Sequence, residues 1–189
     1  MASRSIVWVK EDPPGAEFAE VVFHRRRMTA SGMAIGSRPS GYRIDYKLET
    51  LSDYVTSGLQ VTARGDGWER RLDLRRLRSG RWTCRGVESD MAPLAGALDC
   101  DLALSPLTNS MPVLRHGLLN SGGPYEFLMA WVSVPDLHVL PSKQRYRFVR
   151  RSRNLSLIRY ESSSRDFVAD LSFDQDGLCL SYPGIGWSV

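Results

Sequence analysis

Apolar and polar residues alternate over much of this chain, and that period of two constrains the fold more than any other feature. In residues 42–49 the apolar side chains are Tyr42, Ile44, Tyr46 and Leu48, and every residue between them is charged. Similar alternation recurs in residues 59–64, 81–85, 98–104 and 166–174. Because successive side chains of a strand point to opposite faces of its sheet, these segments are predicted to be half-buried antiparallel strands.

Short segments rich in Gly, Pro, Ser and Asp separate the alternating segments. They are Pro13-Pro14-Gly15, Pro39-Ser40-Gly41, Gly65-Asp66-Gly67, Ser79-Gly80, Gly122-Gly123-Pro124 and Asp176-Gly177. These residue types favour tight hairpin turns and loops between strands. Turns at intervals of roughly ten residues are typical of a meander of many strands. We therefore predict an all-β, predominantly antiparallel fold.

Residues 127–134, Phe-Leu-Met-Ala-Trp-Val-Ser-Val, are apolar on both faces of the predicted strand. A strand of this kind is either covered by the protein on both sides or exposed at an interface. The second alternative is the motive for expecting a homodimer.

The period of two fails between Ser105 and Gly117. Leu107, Met111, Leu114 and Leu118 have the spacing of one helical face. With Asn109 as the N-cap, Pro112 falls in the first turn, where its missing N–H is harmless, and Gly117 suits the end of the helix. The segment therefore predicts a short helix that depends on the surrounding sheet for its stability.

The chain has 189 residues, of which 42% are hydrophobic, and we expect one domain covering residues 1–189. No apolar run reaches the roughly 20 residues that cross a membrane, and the first residues lack a secretory apolar region. We therefore expect a cytoplasmic protein that does not span a membrane. Cys84, Cys100 and Cys179 are far apart and are predicted to be small buried apolar residues.

The formal net charge is +4, and most of the positive charge is arginine. Clusters occur at Arg25-Arg26-Arg27, between Arg70 and Arg78, and between Arg145 and Arg153. Such clusters bind nucleic acid or anionic lipid in some proteins. Because many of these arginines alternate with apolar residues, we assign them to the solvated faces of strands and expect no nucleic-acid partner.

Few residue patterns in the chain point to chemistry. Neither a nucleophile motif nor a glycine-rich phosphate loop is present, and we predict no catalytic residue, metal or cofactor. Asp99 and Asp101 share one face of a predicted strand. They could pair with Arg85 or Arg115, hold a cation, or act as acid and base. Thr108 or Asn109 could cap the helix; together with Arg115 they could also form a polar site for a head group.

Three segments resemble the bacterial putative glycolipid-binding family, formerly a family of unknown function. They are Asp99-Cys100-Asp101-Leu102 followed by residues 105–112; Val134-Pro135-Asp136-Leu137 with Gln144-Arg145-Tyr146; and residues 167–189, with Asp174-x-Asp176-Gly177 and Tyr182-Pro183-Gly184. Their order and spacing match along most of the chain.

The resemblance implies a spiral β-roll, in which a many-stranded sheet wraps around a single short α-helix near residues 107–117. It also implies a distant structural kinship to lipoprotein carriers. On this basis we expect a non-catalytic protein that holds a glycolipid or another acyl-bearing, amphiphilic ligand inside the roll. The expected ligand-binding residues are Asp99, Asp101, Thr108, Asn109, Arg115, Gln144, Tyr146 and Tyr182.

Two other functions remain open at this point. One is a homodimerising interaction module without a small-molecule ligand, motivated by residues 127–134. The other is a hydrolase that uses Asp99, Asp101 and Arg115, which would have to converge in an open pocket. A continuous apolar cavity between the helix and the sheet would favour ligand binding over both.

Overall fold

The computed structural model describes residues 2–189 and contains one mostly antiparallel sheet of 14 strands. The first seven strands are β1 (Ala2–Lys10), β2 (Gly15–His24), β3 (Arg27–Gly36), β4 (Tyr42–Thr50), β5 (Thr56–Gly65), β6 (Trp68–Arg76) and β7 (Trp82–Arg85). The others are β8 (Asp99–Leu102), β9 (Tyr125–Val132), β10 (Val139–Ser152), β11 (Leu155–Ser162), β12 (Phe167–Phe173), β13 (Cys179–Tyr182) and β14 (Gly186–Ser188). Short 3-10 helices cover Ser52–Tyr54, Ala92–Leu94 and Pro106–Asn109, and α1 covers Ser110–Arg115.

Two meanders make up the sheet, and they join in its middle. One runs from β1 outward to β7, the other runs from β14 back to β8, and β1 pairs with β14 between them. Every pair is antiparallel except β8 and β9. A parallel pair needs a long crossover connection, usually one that contains a helix, and the segment with α1 lies between these two strands.

Most of the predicted strands and turns are confirmed. In β4 the four apolar side chains are buried, and Arg43, Lys47 and Glu49 on the other face are exposed. The charges on this face pair along and across strands: Asp45, for example, accepts from Arg43 on the same strand and from Arg64 on β5. Gly67 and Gly80, at two of the predicted turns, have positive φ angles, a conformation that glycine adopts at little cost.

The strand β8 differs from the prediction, because it is buried on both faces. The alternation of apolar residues with Asp99 and Asp101 indicated one solvated face. In the structure that face carries both carboxylates into the interior, against the segment that contains α1. A period of two reports which residues share a face, but it cannot report whether the polar face meets water or other polar groups.

The helix is shorter than predicted and begins differently. Asn109 precedes α1 as expected, but it makes no capping hydrogen bond, so that part of the prediction is wrong. Its side-chain amide instead donates to the carbonyl of Pro106, since a 3-10 turn runs directly into α1. Pro112 lies in the first helical turn, and Gly117 follows the helix with a φ of +64°, both as predicted.

The sheet wraps around this helix, as the spiral β-roll predicts. Leu107 and Met111 pack into a hydrophobic cluster formed mainly by β1–β7. Val113 and Leu118 pack into a second cluster formed by β9–β13. All four side chains are fully buried. The helix therefore fills the centre of the roll and connects two cores, each of which covers one side of it.

Contacts between distant strands show how the sheet closes on itself without forming a barrel. The backbone N–H of Thr56, which begins β5, donates to the carbonyl of Leu98 at 3.0 Å. The Trp82 indole N–H donates to the carbonyl of Ala97, also at 3.0 Å. These two hydrogen bonds hold β8, the last strand at one edge of the sheet, inside the curled part of the sheet formed by β5–β7.

Internal packing covers part of the doubly apolar segment 127–134. The structure assigns it to β9, which pairs with β8 on one side and β10 on the other. Met129, Ala130 and Val132 are buried. Among the described residues, no helix has both the length and the apolar character needed to span a membrane.

Candidate functional site

The polar interior of the roll is built from both ends of the β8–α1 connection. Asp99 and Asp101 project from the same face of β8, because they lie two residues apart on a strand. Thr108 and Asn109 belong to the 3-10 turn before α1, and Arg115 ends α1. Burial of so many polar groups is costly unless each has a partner, so their pairing determines what the site can do.

Arg115 and Asp99 form a buried, bidentate ion pair. One guanidinium nitrogen donates to Asp99 Oδ1 at 2.7 Å, and a second donates to Oδ2. Burial raises the pKa of Asp99, and the hydrogen bonds and charge of Arg115 oppose that rise. The pairing with Arg115, one of the predicted alternatives, ties the end of the helix to β8.

Asp101 is the centre of a separate network. It accepts hydrogen bonds from Thr108 Oγ1 at 2.9 Å and Gln144 Nε2 at 2.6 Å, and Arg165 Nη2 lies 3.7 Å from its Oδ2. Burial raises the pKa of Asp101, against the opposing charge of Arg165 and the two hydrogen bonds. Its two carboxylate oxygens are held by groups from three different parts of the chain.

Tyr146 extends this network back to the helical segment. Its hydroxyl lies 2.8 Å from Asn109 Oδ1 and 3.0 Å from Gln144 Oε1, either of which can accept its proton. Burial raises the pKa of Tyr146 well above its ordinary value, so the hydroxyl remains a donor. Five of the eight residues expected at a ligand site therefore share one hydrogen-bonded network: Asp101, Thr108, Asn109, Gln144 and Tyr146.

Tyr182 joins the network only through neighbouring residues. Its ring lies 5.7 Å from that of Tyr160, and Tyr160 in turn accepts a hydrogen bond from Arg165. Burial raises the pKa of Tyr182. The eight residues thus form the Asp101 network, the Asp99–Arg115 pair beside it, and Tyr182, whose ring packs against Tyr160.

A cavity of about 340 Å³ opens beside this network. Its lining residues are Asp101, Leu102, Ala103, Leu104, Ser105, Trp131, Val134, Arg165, Phe167, Tyr182 and Ile185. Most of the lining is apolar, and Asp101, Arg165 and the hydroxyls of Ser105 and Tyr182 provide the polar groups. The cavity lies at the end of β8 and at the turn that leads into the helix, whereas the helix itself is packed.

Arg165 and Trp131 line the cavity and contact each other, and neither was predicted as a site residue from the sequence. The guanidinium carbon of Arg165 lies 5.4 Å from the centre of the Trp131 ring, a cation–π distance. The Trp131 indole N–H is buried and has no hydrogen-bond partner within residues 2–189. Trp131 was noted only as part of an apolar strand, and Arg165 lies in a serine-rich turn where it has no distinguishing sequence signal.

A second buried polar cluster lies next to the cavity and was also missed. Glu17 Oε1 accepts from the Tyr46 hydroxyl at 2.7 Å and from Ser105 Oγ at 2.6 Å, and Lys10 Nζ lies 3.2 Å from Glu17 Oε2. These side chains belong to β1, β2 and β4, so the cluster fixes the start of the helical segment against the first meander. Within the described residues, no cluster of His, Cys, Asp and Glu has the composition of a metal site.

Comparison with known proteins gives two matches that extend over most of the chain. The model of a family described as "Putative glycolipid-binding" matches residues 5–186. Among solved structures, the chain is similar to the crystal structure of a DUF1089 family protein from Pseudomonas aeruginosa, with 25% identity and a TM-score of 0.70. The similarity covers 89% of this chain and 90% of that one. A search of curated proteins finds no match.

Proposed function

The chain belongs to the putative glycolipid-binding family, and from that premise we propose that it holds an amphiphilic ligand without transforming it. The observation that carries the proposal is the lining of the 340 Å³ cavity, in which apolar side chains surround Asp101 and Arg165. A ligand with one apolar and one hydroxyl-rich part matches such a lining.

The size of the cavity limits how much of the ligand it can take. Cavities that bind small molecules occupy about 300–1,000 Å³, so this one is at the small end of the range. Each methylene group buried in it contributes about 0.8 kcal/mol, against an association cost of about 4–15 kcal/mol. A few methylenes alone give weak binding, so we expect the head group to supply much of the affinity.

The polar groups of the cavity suit a head group that both donates and accepts hydrogen bonds. Asp101 offers carboxylate oxygens, and Arg165 offers guanidinium N–H groups. Sugar hydroxyls donate and accept in the same way.

The position of the helix changes where the ligand is placed. The sequence led to a ligand held inside the roll, with the helix as either a plug or one wall of a pocket. Leu107, Met111 and Val113 are fully buried in the two cores, so the helix acts as a plug. The proposed ligand therefore lies beside the plug, at one end of the roll.

The two alternative functions receive less support from the geometry. A hydrolase needs Asp99, Asp101 and Arg115 together at an open pocket, but only Asp101 lines the cavity, and Asp99 is occupied by Arg115. The interaction module was motivated by residues 127–134, of which Met129, Ala130 and Val132 are buried inside the protein while Phe127, Leu128 and Trp131 are partly exposed. Homodimerisation stays a prediction.

Native mass spectrometry with octyl glucoside, below the concentration at which it forms micelles, tests the proposal. We expect a one-to-one complex with the wild type, weaker binding of glucose, and loss of the complex in the variant Ile185→Trp, which fills the cavity. The matched control Ile35→Trp changes an exposed isoleucine on β3 and should bind normally.

Arg165→Gln provides a second test that leaves the cavity open. Loss of a charge-assisted hydrogen bond should weaken octyl glucoside binding about tenfold. The proposal is wrong if the wild type binds no amphiphile, or if Ile185→Trp and Ile35→Trp bind it equally well.

A further inference from the structure

A second concave site lies at the turn between β2 and β3, and its lining is basic. It has a volume of about 830 Å³ and is lined by His24, Arg25, Arg26, Arg27, Thr29, Thr50 and Ser52. We call this site the arginine turn. Glu17, which contacts Ser105 beside the cavity, lies on the same strand as His24, at a separation of roughly 24 Å along β2. The arginine turn is therefore distinct from the site of the proposed amphiphile.

Hydrogen bonds between two turns fix the shape of the arginine turn. The backbone N–H of Tyr54 donates to the carbonyl of Arg26 at 3.1 Å. The Arg26 guanidinium also pairs with Asp53. The β2–β3 turn is thereby held against the 3-10 helix at Ser52–Tyr54, and this arrangement brings residues from both turns to one concave surface.

Two of the three arginines have no acidic partner. Within residues 2–189, neither Arg25 nor Arg27 forms an ion pair, and both are exposed. Asp53, the nearby carboxylate, is occupied by Arg26. Some exposed arginines elsewhere on the sheet are paired, as Arg43 and Arg64 are with Asp45, and others are not. The arginine turn thus concentrates positive charge that the protein does not neutralise itself.

The backbone conformation of the arginine turn carries a free-energy cost in addition to the unpaired charges. Arg26 has a φ of +35°, in the left-handed region that glycine or asparagine adopts more readily. Three consecutive like charges also repel one another. An anion at the arginine turn would offset that repulsion, because it would supply the missing counter-charge.

We propose that the arginine turn binds a phosphate group, with Arg25 and Arg27 as the ion-pairing residues. The planar guanidinium matches two phosphate oxygens at once. The hydroxyls of Thr29 and Ser52 and the His24 ring, which line the same surface, provide further donors. The phosphate belongs either to a soluble phosphorylated compound or to the head group of an anionic lipid.

Isothermal titration with pyrophosphate at an ionic strength of about 0.1 M, where the Debye length is about 10 Å, tests the soluble source. Sedimentation with phosphatidylglycerol-containing vesicles, against phosphatidylcholine vesicles, tests the lipid source. The test variant is Arg25→Gln with Arg27→Gln, which removes two charges and keeps a polar, hydrogen-bonding side chain at each position. We expect this double variant to bind the probe at least about tenfold more weakly than the wild type does, because charge-assisted hydrogen bonds are lost.

The matched control is Arg78→Gln with Arg153→Gln, which removes two exposed charges elsewhere. It should bind the probe within about twofold of the wild type, since long-range charge effects are small beyond a Debye length. Equal weakening by both double variants would show nonspecific attraction to net charge and overturn the proposal. The proposal would also be overturned if neither probe bound, or if a single-stranded oligonucleotide bound more tightly than both probes.

Discussion

Asp101 is the residue whose ionisation is most closely tied to the candidate site. Burial raises its pKa above the ordinary value of about 3.9, so the folded protein binds this proton more tightly than the unfolded chain does. The charged form therefore costs stability, and the cost grows as the pH rises from the unfolded pKa through the folded one. Below both values the cost is absent.

We predict that the free energy of unfolding of the wild type, relative to Asp101→Asn, falls as the pH rises above about 4. Urea unfolding of both proteins at a series of pH values measures the difference. Asp170→Asn is a control of opposite sign, because a hydrogen bond from Arg159 lowers the pKa of Asp170. Relative to that variant, the wild type should lose stability as the pH falls. Profiles for Asp101→Asn and wild type that stay parallel would contradict the prediction.

At the scale of residues, the sequence offered the ion pair between Asp99 and Arg115, but it did not predict contacts between side chains that are far apart in the chain. The Asp99–Arg115 pair was among the alternatives, because both residues lie close to the same break in the pattern. Gln144 and Tyr146 were reached only through the family resemblance. Arg165 was missed because its approach to Asp101 depends on how the sheet curls, which a local pattern does not specify.

At the scale of elements, α1 is too short to be stable alone and depends on the two cores around it. Met111 is fully buried, and the Thr56 hydroxyl lies 3.5 Å from its sulfur. We predict that Met111→Ala lowers the free energy of unfolding by about 2–5 kcal/mol, through lost burial and the cavity that remains.

The control for this prediction is Met33→Ala on the partly exposed face of β3, which should cost less than about 1 kcal/mol. Denaturant unfolding of the two variants compares them directly. Similar losses in both would mean that the helix is loosely packed and not the plug of the roll. That result would reopen the possibility of a ligand between the helix and the sheet.

Element prediction from the sequence succeeded where a local rule applied and failed where a tertiary contact competed with it. Pro112 was placed correctly, because a helix interior excludes proline. The Asn109 cap was wrong, because the side-chain oxygen of Asn109 accepts instead from Tyr146, a residue of β10. In the same way, β8 kept its alternation but lost its solvated face to the buried network.

At the scale of the whole molecule, the pattern of strands and turns predicts a meander of many strands, but not its division into two meanders or how these join. The hairpins follow chain order, so alternation and turn residues suffice for them. Pairing of β1 with β14 connects segments from opposite ends of the sequence, and the parallel β8–β9 pair depends on the crossover around α1. Neither pairing has a local signal; the family resemblance was needed to predict the roll.

The short strand β14 is therefore the seam between the two halves of the sheet. It pairs with β1 at three positions, Trp8↔Ser188, Val9↔Trp187 and Lys10↔Gly186, and with β13 on its other side. Val189 N–H also donates to the carbonyl of Val7 at 3.1 Å. Deletion of residues 186–189 would leave β1 and β13 without these backbone partners, while both hydrophobic clusters would lose few side chains.

We predict that this deletion uncouples the two meanders, so that thermal unfolding broadens or splits into two transitions. Calorimetry measures this as a van't Hoff enthalpy that falls below the calorimetric one, whereas the two are equal for a two-state protein. Trp187→Ala is the control, because it removes a half-exposed side chain and keeps the backbone pairing. It should preserve a single transition. A single sharp transition in the deletion variant would show that the helix between the two cores, and not the seam, couples the halves of the roll.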